Sequence, residues 1–158
     1  MSYTIRPVEA KDNKRIAWLV RFCLDEYHAP HEGSAWSDPD LERFSEVYNS
    51  PGNAYWVAED ESGTVVAGAG IGSLGCEGVC ELRKMYCVPE HRGKGVAHAL
   101  LETALAYAAR YYRLCYLETF SNMLSAHRFY EKHGFTRTDR HYGDTGHYLC
   151  DVLYIRTL

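Results

Sequence analysis

An apolar run from Leu82 to Val88 stops at Pro89, and the chain then carries Arg92, Gly93, Lys94 and Gly95 into an Ala/Leu-rich stretch with helical spacing. Proline cannot donate to a sheet ladder, so it marks the end of a strand. The helix that follows begins with N–H groups that have no partner inside it, and its dipole adds positive potential at the same place. Such a turn is an anion site, most often for phosphate. Gly95 has no Cβ and lets an oxygen approach the main chain, Arg92 and Lys94 add charge, and the small Ala97 keeps the next turn open. A plain surface turn with two basic residues has the same short signature. Two common phosphate loops are excluded. Lys94 is followed by glycine rather than Ser or Thr, and His98 stands where the third glycine of G-x-G-x-x-G belongs.

Other reactive side chains carry less. His28-x-x-His31 with Glu32 lacks the H-E-x-x-H spacing of a zinc helix, and Pro30 prevents a regular helix there. These histidines read as surface groups or as lining for a substrate pocket, and the expectation is no metal. Cys76 and Cys80 have no second matching pair, which argues against zinc. Four of the six cysteines lie in apolar contexts, as small buried hydrophobes do in a reducing compartment.

The elements that must position the loop follow in order. Tyr3 to Pro7 alternates as a short strand, and Asp12 or Asn13 can cap a helix through Ile16, Leu19, Val20, Cys23 and Leu24. A second short helix is predicted over Leu41 to Tyr48. Three strands are predicted next, at Ala54–Glu59, Thr64–Leu74 and Val79–Val88, and the short turns between them imply an antiparallel meander. A helix from Val96 to about Tyr112 leads to a strand, Leu114–Thr119, which should run parallel to the one before. Ser121 or Asn122 caps another helix, ended by Gly134 in a left-handed conformation, and Phe135–His141 with Tyr148–Arg156 form a closing hairpin. The pattern is an α/β sandwich in one domain, 1–158, of a size that supports a full core.

The stretch Arg92-Gly93-Lys94-Gly95-Val96-Ala97 resembles the [QR]-x-x-G-x-[GA] pyrophosphate loop of the GNAT N-acetyltransferase superfamily. Met85-Tyr86-Cys87-Val88-Pro89 is similar to that family's strand end, and Ala126-x-x-Phe129-Tyr130-x-x-x-Gly134-Phe135 to its A-x-x-x-Y-x-x-x-G-F segment. The resemblance implies a mixed antiparallel/parallel central sheet flanked by helices, with acetyl-CoA as co-substrate in the splay between the fourth and fifth strands. It implies that main-chain groups of Met85, Tyr86 and Cys87 hold the pantetheine arm. Gly93, Lys94, Gly95, Val96 and Ala97 would hold the pyrophosphate through backbone N–H groups, with Arg92 beside them. Asn122 matches an asparagine often found near the CoA arm, though helix capping explains it equally well.

By the same resemblance Tyr130 is the candidate acid that donates to the CoA sulfur, alongside an ordinary role packing its ring on the sheet. Glu81 is the candidate base, with a pKa that desolvation would raise from about 4.3 toward neutrality. A strand glutamate paired with Arg83 is the equal alternative, since alternation puts both on one face. Glu118 on the neighbouring strand is the second choice. The implied activity is transfer of an acetyl group from acetyl-CoA to a primary amine of a small molecule or peptide by direct attack.

Two other function classes stay open: a non-catalytic acyl-CoA-binding sensor, and an interaction domain presenting some of the 13 tyrosines and three tryptophans. A formal charge of −4 with interleaved signs argues against a nucleic-acid surface. No apolar stretch approaches the roughly 20 residues of a membrane helix, and no secretory signal opens the chain, so a cytoplasmic setting is expected. A homodimer through the long apolar strands of the last hairpin is also compatible with the sequence.

Overall fold

The computed structural model describes residues 2–146 and 149–158. A seven-stranded sheet runs through the molecule in the order β1-β2-β3-β4-β5-β7-β6. Its strands are β1 (Thr4–Pro7), β2 (Ala54–Glu59), β3 (Val65–Ser73), β4 (Val79–Cys87), β5 (Leu114–Thr119), β6 (Thr136–Thr138) and β7 (Val152–Thr157). The helices are α1 (Asn13–Glu26), α2 (Phe44–Val47), α3 (Val96–Ala108) and α4 (Leu124–Lys132). β2, β3 and β4 form the antiparallel meander. α3 carries the chain back across the sheet, so β5 lies parallel to β4. α3 presses Leu100, Leu101, Ala104 and Ala108 onto one face of the sheet, while Ile16, Val20 and Leu24 of α1 belong to the core on the other.

Several local expectations are corrected. Asp12 stands at the N-cap of α1 as expected, but its side chain makes no capping hydrogen bond to the helix. The Asp12 carboxylate turns back to the Glu9 N–H at 2.8 Å and to the Arg6 guanidinium at 2.8 and 3.0 Å, tying β1 to the start of the helix. The second helix shrinks to Phe44–Val47 because the preceding residues close as two overlapping four-residue turns, Leu41 N–H to the Asp38 carbonyl and Arg43 N–H to that of Asp40. α3 ends at Ala108, and Tyr111 beyond it is 43% exposed rather than packed. Residue Met123, not Ser121 or Asn122, stands at the N-cap of α4.

The last strands are shorter than predicted, and Tyr148 lies outside the described residues. β7 sits between β5 and β6, paired antiparallel to both. β7 therefore has no open edge. The outer edge is β6, whose Thr136 and Arg137 are exposed.

The feature that makes a site is in the middle of the sheet. β4 and β5 pair only at Val79–Leu114, Cys80–Cys115 and Glu81–Tyr116, and beyond that point the ladder between them stops. In the same stretch the β3–β4 register jumps between Gly68 and Gly70, so Lys84 and Met85 together oppose Ala69. This is a β-bulge, and Lys84 takes the left-handed conformation there at φ 50°. The Tyr55 hydroxyl donates to the Lys84 carbonyl at 2.7 Å. Its ring fills the space over Gly68 and Gly70, where an added Cβ would lie 2.6 and 2.5 Å from tyrosine atoms. Gly68→Ala is therefore expected to destabilise the fold by about 1–3 kcal/mol through overpacking. Equilibrium denaturation with an unchanged midpoint would show that Tyr55 is not wedged against the bulge.

Candidate active site

Alternation along the splayed strands sorts their side chains. Glu81, Arg83 and Tyr86 oppose Gly72, Gly70 and Gly68 of β3 and so share one face, with Tyr116 and Glu118 of β5 beside them. Leu82 and Leu117 point the other way, into the core under α3. Between the strands opens a cavity of about 300 Å³, which reaches from Arg92, Gly93 and Ala97 past Met85, Tyr86 and Cys87 to Glu118 and Tyr130.

The anion loop forms one end of this cavity. Arg92 is pinned by its Nε–H donated to the Cys87 carbonyl at 2.8 Å and by an ion pair with Glu26 of α1 at 2.6 Å. Gly93 and Gly95 have φ of 75° and 87°, a region glycine enters at no steric cost. Among the described residues, and beyond each glycine's own chain neighbours, no atom lies within 4 Å of where a Cβ would stand on either residue, so backbone conformation is what requires glycine here. Gly95 is the N-cap of α3, no side chain caps it, and the first bond within the helix comes from Ala99 to the Gly95 carbonyl at 3.1 Å. The N–H groups of Val96, Ala97 and His98 thus have no partner within the helix, at its positive end. Val96 is buried and contributes only its backbone, while Lys94 is exposed. An uncapped helix start beside an elongated, mostly apolar cavity fits a ligand with a pyrophosphate and a flexible arm, as acetyl-CoA has.

Tyr130 lies at the other end. Its ring packs against Phe129, Phe135 and Tyr154 with centroids 5.7, 5.7 and 6.0 Å away. Burial holds its hydroxyl well above the usual tyrosine range, with Cys115 adding to the effect, so the phenol keeps its proton at neutral and alkaline pH.

Glu81 is buried as expected, but it does not stand alone between apolar strands. Arg83 donates its Nε–H to Glu81 Oε1 at 2.6 Å and a terminal N–H to the Ser73 carbonyl at 2.8 Å. The guanidinium lies flat over Gly72, where a Cβ would fall 2.1 Å from it. Two residues of the same strand face pair because the pleat returns to that face every second position.

Glu118 has a different environment. It accepts from the Tyr116 hydroxyl at 2.7 Å and from the Thr145 hydroxyl, and the exposed His141 lies 3.9 Å away. No Lys or Arg pairs with it among the described residues, although its side chain is only 7% exposed. Asn122 donates its amide to the Tyr27 carbonyl at 3.0 Å and is not part of the cavity wall. It joins the start of α4 to the end of α1.

Three contributors escaped the sequence: Glu26, which holds Arg92; Thr145, which reaches Glu118 from the last loop; and Lys84, which the bulge places in the wall. None belongs to a spaced motif. Only the expectation of a bulge in this strand could have drawn attention to Lys84. Among the described residues no group of three or more His, Cys, Asp or Glu is arranged to hold a metal, and His31 instead stacks on Trp36 and bonds to Asp25 at 3.0 Å.

Comparison with known proteins agrees with this geometry. The acetyltransferase (GNAT) family model matches residues 20–135. The uncharacterized N-acetyltransferase YjgM of Escherichia coli K12 is 41% identical over 161 residues, spanning 99% of this chain and 96% of its own. A GNAT-family acetyltransferase from Staphylococcus aureus Mu50 superposes with a TM-score of 0.87 at 20% identity, covering 99% of both chains. A phosphinothricin acetyltransferase from Sinorhizobium meliloti, solved with acetyl-CoA, has a TM-score of 0.76 at 22% identity and covers 100% of this chain and 89% of that one. The chain belongs to the GNAT family and is an acetyl-CoA-dependent N-acetyltransferase.

Proposed function

We propose that the chain acetylates a primary amine by direct attack of the neutral amine on the thioester carbonyl, with no acyl-enzyme stage. One observation carries this reading: a single cavity joins the uncapped start of α3, the protonated Tyr130 and the buried Glu118. The backbone N–H groups of Gly93 to Ala97 take the pyrophosphate, and Arg92 stiffens the turn that presents them. Past Glu81 the β5 side of β4 has no ladder partner in β5, so main-chain groups of Met85, Tyr86 and Cys87 are free for the pantetheine arm and the carbonyl. Tyr130 donates to the departing thiolate sulfur.

An amine is mostly protonated at neutral pH, so a group must receive its proton before attack. Glu118 is the better placed receiver, because the charge of Glu81 is already balanced by Arg83. Glu118→Gln should lower turnover about 10²-fold with acetyl-CoA affinity unchanged, and Glu81→Gln should chiefly cost stability. The reverse ranking, measured by thiol release and thermal melting, would return the role to Glu81. A sensor domain would bind acetyl-CoA and release no thiol with any amine. An interaction domain would not bind it at all, which calorimetric titration decides.

A cytoplasmic setting belongs to the same proposal. All six cysteines are free, as in a reducing compartment, and no helix among the described residues is long and apolar enough to cross a membrane.

A further inference from the structure

Beside the main cavity, between Glu81 and Glu118, lies a recess of about 40 Å³ whose wall includes Ala35, Arg83, Lys84 and Phe120. Four charged side chains meet there, and their existing bonds separate them into two kinds. Arg83 and Glu81 satisfy each other, and Arg83 is further held by the Ser73 carbonyl and by Tyr48. That pair has little left to offer a ligand.

Lys84 and Glu118 are different. The Lys84 side chain is 9% exposed, and Asp38 at 2.7 Å is the only partner of its ammonium among the described residues. An ammonium has three donors, so two remain for the recess. Glu118 accepts from two neutral hydroxyls and retains acceptor capacity on both oxygens. The nearby Cys150 thiol registers this field. Burial first, then Glu118 and Glu81, push its pKa up to about 12, with Lys84 acting in the opposite direction. A buried charge without full compensation is costly, and a ligand of matching charges removes that cost.

We propose that the acceptor is a free amino acid, or a close analogue with a carboxylate beside its primary amine. Its ammonium docks on Glu118 and its carboxylate on the open donors of Lys84. The inference rests on the amine-transfer reading above and adds the substrate class. The bulge supplies the geometry: an undisturbed pleat would turn residue 84 away from the face that holds Arg83, and the left-handed turn at φ 50° brings Lys84 into the wall instead. Backbone in a sparsely populated region persists where the surrounding structure imposes it, and such places cluster at ligand sites. Here Tyr55 imposes it. An amine without the carboxylate would leave the Lys84 donors desolvated and unpaired, so the site should reject it.

The test compares thiol release from acetyl-CoA with matched acceptors: leucine against 3-methylbutylamine, phenylalanine against phenethylamine, and lysine against cadaverine. At least one amino acid is expected to exceed its decarboxylated partner about 10²-fold in kcat/KM, mainly through KM. Lys84→Met should collapse that ratio toward one. The double variant Asp38→Asn/Lys84→Met should do the same without setting the half-buried Asp38 carboxylate against a methionine, which separates loss of recognition from loss of fold. Decarboxylated amines that match or exceed their amino acids would overturn the inference and leave amine acetylation standing. A preference for amino acids that survives both variants would also overturn it, since the anchor would lie elsewhere. No thiol release with any free amine, while acetyl-CoA still binds, would bring down the amine-transfer reading as well.

Discussion

Tyr130→Phe is expected to lower turnover by roughly 10²–10⁴-fold while acetyl-CoA binds as before. The variant removes one oxygen and leaves the ring, whose contacts with Phe129, Phe135 and Tyr154 account for its packing. Fold and affinity should therefore be preserved and the loss confined to kcat. The pH dependence gives a second check. The working form is the protonated phenol, which persists below its pKa, and burial moves that pKa upward. Loss of the acid should thus not limit the rate until above about pH 10, the ordinary tyrosine value. A wild-type rate that falls below pH 9, through a limb absent from Tyr130→Phe, would contradict this setting. Turnover retained in Tyr130→Phe would leave the residue a packing role only.

Ala97→Glu is expected to abolish acetyl-CoA binding with no loss of stability. Ala97 is in the first turn of α3 and lines the cavity at the loop. A glutamate in the first turn of a helix is favourable to the helix itself, by about 0.3–1 kcal/mol, because it opposes the dipole. The same carboxylate would occupy the positive end of the helix and repel the pyrophosphate. Gly95→Val is the less discriminating variant. It would block the loop, but at φ 87° a branched residue is strained, so fold and binding would fall together. Calorimetric titration with acetyl-CoA alongside thermal melting separates the cases. If Ala97→Glu binds as tightly as wild type, the pyrophosphate lies elsewhere.

The loop was readable from sequence because its function is local. Glycines at alternate positions, a preceding proline and a helical apolar pattern are all contained between Pro89 and Ala108, and no distant contact is needed to recognise them. The meander and the parallel step from β4 to β5 were readable for a related reason, since turn length and an intervening helix limit how neighbouring strands can pair. Element ends were less legible. α2 shortened because local turns close just before it, and beyond the end of α3 at Ala108 the chain is held by a contact that propensity does not carry, the Tyr112 hydroxyl donated to the Gly52 carbonyl at 2.8 Å.

What the acceptor side looks like was decided by tertiary structure alone. Glu81, Arg83, Lys84 and Glu118 stand in the sequence as four charged residues on strands, and spacing assigns them faces but not partners. The choice between a lone base and an ion pair at Glu81 turned on Gly72, which leaves room for the Arg83 guanidinium to lie across β3. The environment of Glu118 depended on Thr145, far along the chain. Lys84 entered the wall through a bulge imposed by Tyr55 of another strand. The local chain thus determined where an anion binds, because backbone donors at a helix start need only the turn itself. Which charges stay open to a second substrate is a matter of pairing across the fold, and that depends on residues brought together only when the sheet has formed.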